Sequence, residues 1–221
     1  MRRVSTVVFD FGETLVDETT QWSTWASWLG VPPFTLMATL GGLLERGRPF
    51  KEVFRLFDPT FDIDEEIERR RTLGDSVPLD RTTLHHDVAP TMDHLASAGY
   101  RLYIAGNMTP QERLCLAGLA LPVTAVLSHG DLSARNSEAA FFGSLVQRLE
   151  TATGDMVYVS HRLDTAGLAA RQAGVPFLYL QRGPIAHLRL GKPSDRATRW
   201  RIVGLDDLPG ALDEMNRTGP W

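Results

Sequence analysis

Five short apolar runs punctuate this chain, at residues 4–9, 102–105, 123–127, 156–159 and 177–180. Continuous runs of this length, bounded by turn residues, match strands buried on both faces of a parallel sheet. Between them the apolar spacing becomes helical. Residues 90–98 place Met92, Leu95 and Ala96 on one side, and residues 110–119 open on Pro110, which suits a first helical turn. Residues 136–150 repeat Phe141, Leu145 and Leu149 at four-residue steps, with Phe142 and Val146 beside them. Residues 164–173 are rich in alanine and stop at Gly174, a helix terminator. Strands alternating with helices of this length predict an α/β fold with a Rossmann-like doubly wound parallel sheet.

Residues 18–86 break the alternation. They hold no convincing buried strand, and Trp22, Trp25 and Trp28 stand at three-residue spacing on one helix face. Further helices are expected at 33–46, 50–57 and 64–74. An aromatic stripe of this kind reads as core rather than as a ligand platform. The segment is therefore expected to be an inserted all-helical domain, 18–86, with 1–17 and 87–221 forming the core domain. The closing Gly219-Pro220-Trp221 is expected to be loose.

Composition changes little in this picture. With 43% apolar and 23% charged residues over 221 positions, the chain can bury a core without disulfides or metals. Its one cysteine, Cys115, excludes an internal disulfide and reads as a small buried hydrophobe. A net charge of -4 argues against a nucleic-acid partner, and Arg69-Arg70-Arg71 reads as a solvated helix face. No apolar run is long enough to span a membrane, and the first is too short for a signal-peptide core. The expected location is the cytoplasm.

The candidate chemistry begins at Asp10, which ends the first apolar run and precedes Phe11-Gly12-Glu13-Thr14-Leu15. Ligands of open α/β sheets bind beyond the carboxyl ends of the strands. A carboxylate there serves as nucleophile or metal ligand, or it caps the turn. Gly12 allows the chain a tight course after it.

A strand ending in Asp10, then Phe11-Gly12-Glu13-Thr14-Leu15, then a helical insertion, resembles the haloacid dehalogenase superfamily. Later segments extend the resemblance over nearly the whole chain. His86-Asp87-Val88-Ala89-Pro90 looks like the return from that superfamily's helical cap, and Ile104-Ala105-Gly106-Asn107 like its second motif. Residues 130–142 look like its third. Tyr158-Val159-Ser160-His161-Arg162-Leu163-Asp164, with Ala169-Ala170-Arg171-Gln172-Ala173-Gly174, looks like its fourth.

The resemblance implies a magnesium-dependent phosphatase, but the residues depart from that pattern. The nucleophile falls on Asp10, and the acid–base aspartate on Gly12. The serine or threonine falls on Gly106, beside Asn107. The lysine falls on Asn136 or its neighbour Arg135. The metal-binding acidic pair falls on His161, preceded by Ser160, and on Ala166. Magnesium requires hard oxygen ligands in octahedral array. It would keep only Asp10, the Gly12 carbonyl and Asp164, so no metal or other cofactor is expected unless Asp10 and Asp164 suffice. An imidazole at position 161 is a poor magnesium ligand, but it suits acid–base chemistry near neutral pH.

The leading expectation is a repurposed, metal-independent enzyme. Asp10 and His161 act on a small molecule beneath the cap, and Gly12, Glu13, Gly106, Asn107, Asn136 and Ser160 contact it. A noncatalytic protein that binds a ligand or partner is a second reading. A weak phosphatase using Glu13 and Asp164 is a third.

Overall fold

In the computed structural model, which describes residues 4–75, 77, 79–192 and 198–219, the first apolar run becomes the middle of a sheet. Strand β1 (Thr6–Phe9) is buried at every residue, as a strand covered on both faces requires. The others are β2 (Arg101–Gly106), β3 (Ala125–Ser128), β4 (Met156–Ser160), β5 (Phe177–Leu180) and β6 (Arg201–Ile202). They pair in parallel in the order β3-β2-β1-β4-β5-β6. Phe9 stands opposite Ile104 on one side and Val159 on the other. The chain builds outward from β1 through β2 and β3, then returns to its other side for β4. That reversal opens a crevice at the carboxyl end of β1, where ligands bind in such sheets.

Eleven α-helices among the described residues accompany the strands. Four belong to the insertion: α1 (Thr19–Leu29), α2 (Pro33–Glu45), α3 (Glu52–Arg55) and α4 (Ile63–Thr72). The rest are α5 (Val88–Ser97), α6 (Pro110–Gly118), α7 (His129–Leu132), α8 (Ala139–Arg148), α9 (Leu168–Gln172), α10 (Gly183–Leu188) and α11 (Leu208–Thr218). Pro110 opens α6 within a capping box of Thr109 and Glu112. Gly174, at φ 67°, follows α9 in the left-handed conformation that glycine adopts without strain. Phe141 and Phe142 of α8 meet Tyr158 of β4 edge-to-face, at centroid distances of 6.1 and 5.0 Å.

The chain divides into two compact units, Glu18–Leu79 and the remainder. The helical unit has its own core of Trp25, Leu36, Leu40, Val53 and Phe54, with Trp22 and Trp28 packed at its edge. Trp22 stacks on Phe54 at 6.0 Å and meets Trp25 edge-on at 4.8 Å. On α4, Arg69 and Arg70 pair with Glu66, and Arg71 pairs with Glu68.

The return to the core unit comes at Asp80, seven residues before the expected boundary at 87. Residues 83–85 are hydrogen-bonded to the loop after β1. Asp17 N–H donates to Thr83 O, and His85 N–H donates to Leu15 O, both at 2.9 Å. Helix α8 also starts later than residue 136, which leaves Asn136 in the preceding loop. Cys115 is half-buried, and Leu116 fills the core position beside it. Of the three terminal residues expected to be loose, Pro220 and Trp221 lie outside the described residues. Among the described residues, no single helix is long and apolar enough to cross a membrane.

Candidate functional site

Asp10 continues the β1 ladder by donating its N–H to Val159 O at 2.9 Å. Its carboxylate, 5% exposed, turns back toward the ends of β2 and β4. Oδ1 accepts two hydrogen bonds, from Phe11 N–H at 2.9 Å and from the Asn136 amide at 3.0 Å. Oδ2 accepts one, from the Ser160 hydroxyl at 2.6 Å. Burial pushes the Asp10 pKa above the usual carboxylate value, against the opposing pull of Ser160, Phe11 N–H, Tyr158 and the positive Arg162.

Neighbouring carboxamides fix the direction of the Asn136 amide. Asn107 Nδ2 donates to Asn136 Oδ1 at 2.8 Å, and Asn136 N–H donates back to Asn107 Oδ1 at 3.2 Å. That reciprocal clasp leaves Asn136 Nδ2 facing Asp10 and the Tyr158 hydroxyl, 3.3 Å away. The Tyr158 hydroxyl donates to Ala105 O at 2.8 Å, so it has a lone pair free to accept. Burial, then the negative Asp10, push the Tyr158 pKa up and keep the phenol neutral.

Gly106 lies against Asp10 on the β2 side. A Cβ built there would lie 2.5 Å from Asp10 Oδ1. The carboxylate thus occupies the volume that a side chain at position 106 would fill.

His161 does not join this group. Its Nδ1 lies 3.3 Å from Thr14 Oγ1, and its backbone N–H donates to the same hydroxyl at 3.4 Å. No hydrogen bond or ion pair links it to Asp10. Burial, then the positive Arg162, push its pKa down to about 3, so the ring is neutral at physiological pH. The expected Asp10–His161 pair is not joined by a direct hydrogen bond, and strand geometry gives the reason. Successive side chains at a strand end point to opposite faces, and Ser160 takes the face of Asp10.

The other expected contacts divide. Gly106, Asn107, Asn136 and Ser160 gather around Asp10. Gly12 forms a bridge with Val16, and Glu13, at φ 51°, donates its N–H to Val16 O at 2.8 Å. The Glu13 side chain packs against Gly183 at the start of α10.

Several residues were not anticipated. Arg162 donates to both oxygens of Asp164, at 3.0 and 3.5 Å, and Arg189 adds a contact to Oδ2 at 3.2 Å. Burial works against the charge on Asp164, but the two guanidiniums hold its pKa below the ordinary value. Arg182 forms a buried ion pair with Asp87 and donates to Thr14 O at 3.1 Å, pinning the loop after Asp10. Asp87 also accepts from Leu205 N–H at 2.8 Å. Arg162 stood in the quoted fourth motif, so its charge was readable. Tyr158 stood in that motif too, as its apolar opening residue, whereas Arg189 carried no signal beyond its loop context.

The magnesium that the resemblance implies does not fit these residues. Asp10 is held by three protein donors, the imidazole at 161 is turned to Thr14, and Asp164 is neutralised by two arginines. Among the described residues, no group of three or more His, Cys, Asp or Glu side chains is placed to hold a metal ion.

No protein-family model and no curated protein sequence matches this chain. Solved structures do. A HAD phosphatase from Thermococcus onnurineus superposes with a TM-score of 0.59 at 21% identity, over 96% of this chain and 98% of that one. The HAD-hydrolase YfnB from Bacillus subtilis, bound to magnesium, gives 0.68 at 16% identity, over 96% and 100%. A 2-haloacid dehalogenase from Pseudomonas syringae pv. Tomato gives 0.55 at 23% identity, over 97% and 99%. With its six-stranded parallel sheet and helical insertion after β1, this chain has the fold of the haloacid dehalogenase superfamily hydrolases.

Proposed function

We propose that this protein is a magnesium-independent enzyme in which Asp10 attacks or deprotonates a small molecule bound at the carboxyl end of β1. The observation that carries this reading is the asymmetry of the Asp10 carboxylate. Two N–H donors fix Oδ1, whereas among the described residues Oδ2 accepts one hydrogen bond, from the Ser160 hydroxyl. A carboxylate oxygen has two lone-pair sites, so Oδ2 keeps one for an electrophile or a proton. Burial raises the energy of the anion, which makes it a stronger base and nucleophile than a solvated carboxylate. Ser160, Asn136 and Asn107 are the positioning groups. His161 holds Thr14 and takes no part in proton transfer.

Two of the compared structures, by their descriptions, are a phosphatase and a dehalogenase. The clamp on Asp164 argues against the phosphatase branch, because it removes the second carboxylate that a magnesium ion would need. A noncatalytic binding protein is the second reading, favoured by the three donors that already satisfy much of Asp10.

Asp10→Asn separates the two. The amide keeps an oxygen for Phe11 N–H and Asn136, and its NH2 can donate to Ser160 Oγ. The variant is expected to fold and to lose all turnover found by screening the wild type against small carboxylates, neutral metabolites and simple esters. Its stability carries a second readout. A raised folded-state pKa means that ionised Asp10 costs the folded protein free energy above that pKa, and none below the unfolded value of 3.8. Asp10→Asn is therefore expected to melt higher than wild type near neutral pH, with the gain vanishing as the pH falls toward 3.8. Unchanged turnover in Asp10→Asn would refute the enzymatic role.

A further inference from the structure

Asp164 is one carboxylate between two guanidiniums. Arg162 grips it through Nε and Nη2, and Arg189 touches it through Nη2. No other carboxylate among the described residues lies within ion-pair reach of either arginine. The cluster therefore holds one positive charge that no described residue balances. Among the described residues, the buried Arg189 Nε has no acceptor. An unsatisfied buried donor on a charged group is costly, and such a group calls for an acceptor that no described residue supplies. The cluster is joined to Asp10 through Ser160. The Ser160 hydroxyl that donates to Asp10 Oδ2 also accepts the Arg162 backbone N–H at 3.0 Å. The side chains of Arg162 and Arg189 remain 32% and 24% exposed, so a solute can reach them.

We propose that Arg162 and Arg189 form a subsite for a singly charged oxyanion, such as a carboxylate or a sulfate monoester, adjacent to Asp10. This deepens the reading of Asp10 as the group that acts on a small molecule, and identifies that molecule as an anion held at one end. The charge balance sets the class. A monoanion neutralises the surplus, whereas a dianion leaves net negative charge beside Asp10. Planar N–H pairs of guanidinium match the two oxygens of such a group. Asp164 holds the two arginines apart and in place, and is itself a positioning residue.

The test is thermal denaturation and calorimetry of the whole chain at about pH 8, where inorganic phosphate is mostly dianionic. The probes are propionate, methyl sulfate, inorganic phosphate and the neutral propionamide, at matched ionic strength. Propionate and methyl sulfate are expected to raise the melting temperature saturably, and propionamide to leave it unchanged. Arg189→Gln and Arg162→Gln are each expected to weaken propionate binding roughly 10- to 100-fold, the loss of one charged hydrogen bond. Arg189→Lys, which keeps the charge but has no Nε donor, is expected to weaken it as well and covers the case in which Arg189→Gln fails to fold. Asp10→Asn is expected to bind propionate at least as tightly as wild type, since a neighbouring negative charge has gone. The subsite thus survives even if Asp10 proves noncatalytic, and the two ideas fail separately. The proposal is overturned if neither monoanion stabilises the wild type, if their effect is untouched by the arginine substitutions, or if phosphate stabilises more than both.

Discussion

Replacing Gly106 with alanine adds a single methyl group at the place where Asp10 Oδ1 now lies. The built Cβ would stand 2.5 Å from that oxygen and 3.4 Å from Phe11 N. The first distance is far inside van der Waals contact, and β2 is held between β1 and β3, so the carboxylate has to move. Rotation takes Oδ1 from both of its donors, Phe11 N–H and the Asn136 amide. A hydrogen bond to a charged group is worth about 1.5–3 kcal/mol, so losing two costs about 3 kcal/mol or more. For a protein of this size, that lowers the melting temperature by roughly 6–12 °C. Gly143→Ala is the matched control. It adds the same methyl within α8, where nothing lies within 4 Å, and is expected to stabilise by about 0.5–1 kcal/mol. Circular dichroism melts of both variants measure the contrast. The mechanism is specific to Asp10, so the Gly106→Ala penalty should largely disappear in an Asp10→Ala background. A Gly106→Ala protein that melts within about 2 °C of wild type, or a penalty that persists without the Asp10 side chain, would falsify this account of the pocket.

His161 is held neutral, with a pKa near 3 against an ordinary 6.5, so the unfolded chain takes up a proton that the folded chain refuses. Stability is therefore lost as the pH falls below about 6.5, by about 2 kcal/mol at pH 5 from this residue alone. His161→Gln should flatten the melting temperature between pH 7 and 5, and an unaltered slope would count against a buried neutral imidazole. Arg182→Ala removes one side of the buried pair with Asp87 and frees the loop after Asp10. A loss of about 3–5 kcal/mol in urea denaturation is expected, and a loss below about 1 kcal/mol would place the pair among weak surface interactions.

The strands β1 to β5 were legible because each is a continuous apolar run, and a strand buried on both faces leaves little else in its sequence. Strand β6 was not, since Arg201–Ile202 offers one buried residue and no period. Helix α11 was overlooked although Leu208, Leu212 and Met215 carry the helical spacing and are all buried. The candidate site was readable wherever a residue's position along a strand determined its place. Asp10, Gly106 and Ser160 each stand at a strand's carboxyl end, and Asn136 came close through its loop. What could not be read was direction. Ser160 and His161 are neighbours, and only one of two neighbours at a strand end can face Asp10. The two-arginine clamp was also hidden, because Arg162 and Arg189 follow different strands and meet only through Asp164.

The central position of β1 also sets an order of events during synthesis. Thr6 pairs with both Arg101 and Met156, so β1, made before the other described strands, is flanked on both sides only after β4 has been made. The helical unit Glu18–Leu79 makes its own core from residues close in sequence, and such local contacts form fast. A ribosome-bound chain thus completes its insertion while β1 still waits, unpaired and apolar, for partners not yet translated. That interval makes β1, rather than the loops of the site, the segment most exposed to misassembly and to capture by a chaperone.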